Sequence, residues 1–283
     1  MSIVTFWNSS KQQTGQTLSI AAIATYMAIE HNYRILVIST TNREDNFRRC
    51  FWEQKKKKKN LGIFGPNANL EIENGIEGLA RIIRSNKIAP EVITNYTKVV
   101  FKDRLEILLG SKTNVKEDGT IDAEVQNVYP DIITTANQYY DIVLVDLDDN
   151  IEKETQKTIM HQSDIVVVNI GQRLRDIEKY SELKQQMTML QTKKVILMIG
   201  KYDKFSKYNA KNITRYLGEK NKIQTIPYNT LFFEAAEEAG VPDLFLRFRK
   251  TLDPEDRNAF FIEEVKRATE NIIYRLQDLQ VKV

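Results

Sequence analysis

Short runs of β-branched and apolar residues recur along the chain and alternate with longer segments of helical spacing. Most of these runs are nearly continuous in apolar residues, which is typical of strands buried on both faces of a parallel sheet. Hydrophobic residues make up 42% of the chain, enough to bury a substantial core. The sequence therefore predicts an α/β fold with a doubly wound, mostly parallel sheet. The predicted strands are residues 3–7, 34–39, 142–146, 165–170, 194–200 and 223–226.

The predicted helices are residues 17–30, 77–85, 151–160, 175–190, 211–217, 231–239 and 254–279. The last of them has an apolar stripe, which we expect to pack on the sheet. That stripe comprises Phe260, Phe261, Val265, Ala268, Ile272, Ile273, Leu276 and Leu279. Residues 43–119 fit no clear pattern. We expect one domain over residues 1–283, with that segment as an insert.

Charge and cysteine content narrow the classes of function. The 41 basic and 38 acidic residues give a net charge of +3, which permits nucleic-acid binding without favouring it. Cys50 is the only cysteine, so no intrachain disulfide can form, as is usual in a reducing compartment. No apolar run approaches the ~20 residues that span a bilayer, and the N-terminal residues turn polar after Trp7. These features predict a cytoplasmic protein.

Five consecutive lysines at residues 55–59 follow Phe51 and Trp52. Basic clusters beside aromatic residues serve both anionic lipid and nucleic acid, so peripheral membrane contact stays open. A solvated loop is the favoured alternative, because like charges repel one another.

Residues 10–17 read Ser-Lys-Gln-Gln-Thr-Gly-Gln-Thr and lie between the first predicted strand and the first predicted helix. A phosphate loop lies at this point, where backbone N–H groups and a helix N-terminus face an anion. Compared with G-x-x-x-x-G-K-[ST], the chain keeps Gly15 and Thr17, but has Ser10 for the first glycine and Gln16 for the lysine. Thr17 could equally cap the helix without any ligand.

Further motifs make the chain resemble the MinD/ParA family of P-loop ATPases. Lys11 stands where the family's deviant loop, K-G-G-x-G-K-T, has its signature lysine. Residues 140–146 resemble the family's YDxxxxD strand, whose last aspartate lies near magnesium, although Asp146 could instead be a structural turn residue. Residues 194–203 resemble the strand and N-x-Y-D loop that meets the base, with Gly200 in place of asparagine. Residues 226–242 reproduce the order IPxN…EA…GxP.

The resemblance implies a P-loop NTPase fold that binds ATP and Mg²⁺. It places Mg²⁺ at Thr17 and Asp146. It implies that the nucleotide contacts Lys11, Thr14, Gly15, Gln16, Thr17, Leu18, Pro227 and Asn229.

The departures from the family pattern fall where the chemistry would be. Gln12 and Gln13 replace two glycines that let two subunits approach face to face, and their side chains make that approach costly. Gln16 lacks the lysine's charge, which predicts a loss of nucleotide affinity of roughly ten-fold or more. The second strand runs into residues 39–41, Ser-Thr-Thr, instead of the family's DxD switch. We therefore predict weak or no ATP hydrolysis and assign no catalytic residue.

Members of this family position cellular cargo. The eroded loop and the LxVLPG-like residues 105–110 resemble the TadZ/CpaE branch of Flp pilus assembly. This resemblance implies a scaffold subunit of a cell-surface assembly, with a second copy of the chain and proteins of that assembly as partners, localised at the membrane-bound assembly. The alternative is an active ParA-like ATPase in plasmid or chromosome partitioning. A third alternative is a metabolic or metal-handling member of the fold class.

Overall fold

The computed structural model describes residues 1–10, 13–41, 45–53, 75–84, 89–110, 123–250, 253 and 256–281. These ranges contain a sheet of eight strands. The strands are β1 (Ser2–Asn8), β2 (Ile35–Ser39), β3 (Lys98–Phe101), β4 (Leu105–Leu108), β5 (Ile142–Leu147), β6 (Ile165–Ile170), β7 (Val195–Tyr202) and β8 (Gln224–Pro227). Their order is β3-β4-β2-β5-β1-β6-β7-β8; β3 runs antiparallel to β4, and the other pairs are parallel. The predicted fold class is confirmed.

The same ranges contain eleven α-helices, which connect and cover the strands. They are α1 (Gln16–Glu30), α2 (Asp45–Phe51), α3 (Ile76–Arg84), α4 (Ala123–Gln126), α5 (Tyr129–Ala136), α6 (Lys153–Gln162), α7 (Leu174–Gln186), α8 (Ala210–Leu217), α9 (Thr230–Glu237), α10 (Val241–Phe248) and α11 (Arg257–Val281). Two 3₁₀ helices, Pro90–Tyr96 and Thr188–Gln191, complete the set.

The sheet buries a hydrophobic cluster on each face. Side chains of a strand alternate between faces, so Val4 and Phe6 of β1 join one cluster while Ile3 and Trp7 join the other. Helices α1, α2, α9, α10 and α11 cover the first face, and α3 and α5–α8 contribute to the second. Burial on both faces explains why the strands read as continuous apolar runs.

Each of the predicted strands is present within one or two residues of its predicted bounds, and so are most of the predicted helices. One predicted helix, residues 175–190, is wrong in its length. Helix α7 ends at Gln186, because Met187 is extended, with φ −110° and ψ 101°, and a separate 3₁₀ turn follows.

The C-terminal helix α11 packs on β8 and α1, as its apolar stripe predicts. Phe261, Val265 and Ile272 are buried there, and Phe261 stacks against Phe232 with ring centroids 4.7 Å apart. In the part of the chain that the structure describes, no helix is both long enough and apolar enough to span a membrane. The lysine run at residues 55–59 lies outside the described residues.

Candidate functional site

The carboxyl ends of β1 and β5 meet at one edge of the sheet, next to the start of α1. The two strands are paired in register, with Phe6 opposite Asp146. Parallel sheets of this kind bind ligands in the crevice beyond the carboxyl ends of their strands. The topology thus brings the residues of the predicted phosphate loop to Asp146.

The Gln16 side chain points into the sheet and joins β1 to β5. Its Nε2 donates to Asp146 Oδ1 at 2.6 Å, and it lies 3.1 Å from both the Phe6 and the Leu147 carbonyl oxygens. Its two N–H hydrogens are therefore occupied by the protein. In this arrangement Gln16 supplies no charge at the lysine position and has no N–H left for a phosphate.

Asp146 is almost fully buried and accepts a second hydrogen bond at its other oxygen, from Thr17 Oγ1 at 2.8 Å. Burial raises its pKa from the ordinary 3.8 to about 6, and the neighbouring Asp148 carboxylate adds to the increase. The hydrogen bonds from Gln16 and Thr17 stabilise the charged form and so partly offset this increase in the pKa. The carboxyl group therefore exchanges its proton not far below neutral pH.

The residue that precedes helix α1, Gly15, has a left-handed backbone, with φ 79° and ψ 18°. Glycine adopts this conformation at little cost, whereas other residues seldom do. The preceding residue, Thr14, is 3% exposed, and its Oγ1 has no hydrogen-bond partner among the described residues. The turn thus places the unpaired first-turn amides of α1 and a buried free hydroxyl beside one another.

A cavity of about 530 Å³ opens over this turn, within the range usual for small-molecule sites. Its lining includes Asn8, Gln13, Thr14, Gly15, Gln16, Thr17, Leu18, Thr41, Asp146, Asp148, Asp149, Lys201 and Glu237. Four of its lining side chains are carboxylates, and Lys201 is the only cation among the described residues that line it. Glu237 is paired with Arg49 at 2.7 Å, so the repulsion of a polyphosphate would come mainly from the aspartates, and a divalent cation that entered with the polyphosphate would offset it.

The residues present fit a magnesium ion that is carried by a nucleotide. No group of three His, Cys, Asp or Glu side chains in the described ranges is placed to hold a metal. Magnesium does not require such a group, because it usually keeps several waters and takes one or two protein oxygens with the phosphates. Thr17 Oγ1 and the Asp146 carboxylate, held together by their hydrogen bond, are oxygens of the right kind.

Three other residues predicted to contact the nucleotide lie beside the loop, around a much smaller crevice. Leu18, Pro227 and Asn229 line it together with Gly15, but its volume is about 20 Å³, room for little more than one water. The Asn229 side chain caps α9 by accepting from the Phe232 N–H at 2.8 Å, and donates to Asn258 at 2.9 Å. Part of a nucleotide could therefore bind between these residues only if the crevice widened.

The structure brings together the predicted residues from Thr14 to Leu18 and Asp146, while Lys11 lies outside the described residues.

The structure also gives a reason for a glycine at position 200, where the MinD/ParA motif has asparagine. A Cβ atom at Gly200 would lie 2.3 Å from the Thr14 carbonyl oxygen, so only glycine lets β7 approach the loop. Sequence reasoning missed Lys201 and Glu237. The only sequence feature that could have indicated Lys201 is its position next to Gly200, in the segment that resembles the N-x-Y-D loop.

The fold is similar to solved structures of MinD/ParA ATPases. A putative plasmid partition protein from Borrelia burgdorferi, solved with AMPPNP, is 17% identical, with a TM-score of 0.60, and the match covers 99% of this chain and 98% of that one. A ParA family ATPase from Chlorobium tepidum is 13% identical over 92% of this chain and 96% of its own, with a TM-score of 0.63. The cell division ATPase MinD from Pyrococcus furiosus is 14% identical, with a TM-score of 0.61, and the match covers 96% of this chain and 100% of that one.

No protein-family model matches the chain, and no curated protein does. At these identities the structural similarity shows the fold alone. The chain therefore has the α/β fold of the MinD/ParA P-loop NTPases, as the sequence motifs predict.

Proposed function

We propose that this chain binds ATP with Mg²⁺ at the loop between β1 and α1 and acts as a cargo-positioning protein whose ATP hydrolysis is slow or lost. The proposal depends on the hydrogen bonds that the Gln16 side chain makes within the protein. It stands at the lysine position and donates to Asp146 and to main-chain carbonyls of β1 and β5. The site keeps its loop, its cavity and its magnesium-type oxygens, but has an uncharged glutamine in place of the motif's lysine.

The residues at the end of β2 support the proposal that ATP hydrolysis is slow. Thr40 Oγ1 donates to the Asp146 carbonyl at 3.1 Å and accepts from the Asp148 N–H at 2.9 Å, so it is fixed against β5. Ser39 and Thr41 beside it are also buried and uncharged. None of the three described residues at this strand end, Ser39 to Thr41, has a carboxylate that could orient a water for attack. Positioning and charge stabilisation supply most of phosphoryl-transfer catalysis, and both are weakened here.

For the cargo, the comparisons favour DNA over a surface assembly. The similar solved structures include plasmid partition proteins and MinD, whereas support for a TadZ-like pilus role comes only from sequence motifs. We therefore place plasmid or chromosome partitioning first and a scaffold role in a pilus or secretion assembly second. Partitioning predicts ATP-dependent, salt-sensitive DNA binding. A scaffold role predicts self-association that is independent of ATP.

The test is calorimetric titration of the purified chain with ATP, with and without Mg²⁺, combined with an assay of phosphate release. We expect Mg²⁺-dependent binding and turnover no faster than about 10⁻⁴ to 10⁻³ s⁻¹, the scale of a P-loop GTPase without its arginine finger. Gln16→Lys should tighten ATP binding by roughly ten-fold, and Gln16→Met, of similar length and uncharged, should not. Absence of ATP binding at millimolar concentration, or turnover of several per second in the unaltered chain, would refute the proposal.

A further inference from the structure

Lys201 lies in a local irregularity at the end of β7. Its φ is 52°, a left-handed value that residues other than glycine seldom adopt. The pairing of β7 with β8 shifts register between Gly200 and Tyr202, so Lys201 is the bulged residue. Bulges of this kind redirect a side chain and are over-represented beside active sites. In a regular strand, without the bulge, the Lys201 side chain would point in a different direction.

The redirected side chain lies across the phosphate loop. A Cβ atom built on Gly15 would be 3.0 Å from Lys201 Cγ and 3.6 Å from its Cδ, so the lysine methylenes cover the face of that glycine. Lys201 consequently lines both the large cavity and the small crevice beside Pro227. The close approach of Gly200 to Thr14 holds this end of β7 against the loop.

The Lys201 ammonium group has no hydrogen-bond or ion-pair partner among the described residues. It is also the only described cation in a cavity wall that has four carboxylates. The Thr14 hydroxyl of the adjacent loop is buried and likewise without a partner. A phosphate chain entering the cavity would find charge from Lys201, a hydroxyl from Thr14 and amides from the start of α1.

From this geometry we infer that Lys201 binds the phosphate chain of the nucleotide and takes over, from the opposite side of the loop, the charge that Gln16 lacks. The inference rests on the proposed nucleotide binding. It assigns to β7 a role in phosphate recognition, and it gives a physical reason for a lysine in a backbone conformation that glycine would adopt more easily.

The test compares binding of ATP, ADP and adenosine, with Mg²⁺ present, by the unaltered chain, Lys201→Gln and Lys201→Arg. Lys204→Gln is the matched control, because Lys204 is also exposed and lies just after the same strand. We expect Lys201→Gln to weaken ATP binding about ten-fold, a smaller loss for ADP, and no change for adenosine. Lys201→Arg should stay within about three-fold of the unaltered chain, and Lys204→Gln should be unchanged.

The outcomes separate the two proposals. If the unaltered chain binds no nucleotide, the proposed function fails. If it binds ATP and Lys201→Gln binds equally well, or loses ATP and adenosine to the same extent, this inference is wrong. A large loss in Lys11→Gln with none in Lys201→Gln would likewise overturn it. Lys201→Asn serves as a second uncharged variant, since asparagine tolerates left-handed backbone, and thermal unfolding establishes that each variant is folded.

Discussion

The buried carboxyl group of Asp146 should make the stability of the ligand-free chain depend on pH in a direction that is unusual for an aspartate. Its pKa is raised from 3.8 to about 6, because burial disfavours the charged form more than the bonds from Gln16 and Thr17 favour it. Between those two values the folded chain binds more protons than the unfolded chain. The free energy of unfolding should therefore fall as pH rises from about 4 to about 6 and then level off.

The size of this effect follows from the same values. At 1.36 kcal/mol for each pKa unit, the change from 3.8 to about 6 corresponds to a loss of about 3 kcal/mol by neutral pH. Asp146→Asn removes the titrating group while keeping the side-chain shape. The asparagine Oδ1 can still accept from Gln16 Nε2, and its Nδ2 can donate to Thr17 Oγ1 after the Thr17 hydroxyl rotates, so the Gln16 contacts with the Phe6 and Leu147 carbonyls are kept. Any cost of that rearrangement is the same at every pH.

The assay is urea unfolding of the unaltered chain and Asp146→Asn at several pH values between 4 and 7.5, without nucleotide or metal. The difference between the two unfolding free energies cancels the other titrations and should change by about 3 kcal/mol over this window. In Asp148→Asn the midpoint should move to lower pH, because the Asp148 carboxylate helps to raise the pKa of Asp146. Parallel pH profiles for the unaltered chain and Asp146→Asn would refute the reasoning.

Other predictions concern packing around the site and in the core. Gly200→Ala should destabilise the fold by about 1–3 kcal/mol in urea unfolding and weaken ATP binding, because its Cβ would meet the Thr14 carbonyl at 2.3 Å. Phe261→Ala should cost about 3–5 kcal/mol by the same measurement, since its ring is fully buried against Phe232. Cys50 should react with thiol reagents only on unfolding, because burial raises its pKa to about 12; rapid labelling of the native chain would contradict this.

The strands were predictable because continuous apolar runs report burial on both faces. The apolar runs did not predict β3 and β4. Strand β3 lies at the edge of the sheet, and Lys98 and Val99 in it are exposed, so it has no such run. Two of the four missed helices, α5 and α10, have a proline in the first turn, where it fits a helix. A proline that is taken for a turn residue hides a helix that begins beside it.

The sequence predicted that the loop residues would meet Asp146, but not the direction of their side chains. The loop motif located Gly15 and Thr17, and the aspartate at the end of a strand located Asp146. The direction of Gln16 depends on a partner 130 residues away and on the carbonyls of two strands, which only the folded sheet brings together. Lys201 could not be predicted either, because its direction results from a bulge and from contact with a glycine of another loop.

The replacement of a cation by Gln16 affects the ligand-free fold as well as the nucleotide. Asp146 is buried, and a buried carboxylate with unmade hydrogen bonds would cost the fold several kcal/mol. The Gln16 amide satisfies one carboxyl oxygen and Thr17 the other, while the raised pKa allows the group to become neutral. The end of β5 is thus stabilised from within the chain, without a lysine, a metal or a phosphate. Magnesium held by the Thr17 and Asp146 oxygens would displace the hydrogen bond between them, so its binding would compete with contacts that the protein makes on its own, and this competition would lower the affinity for magnesium and nucleotide.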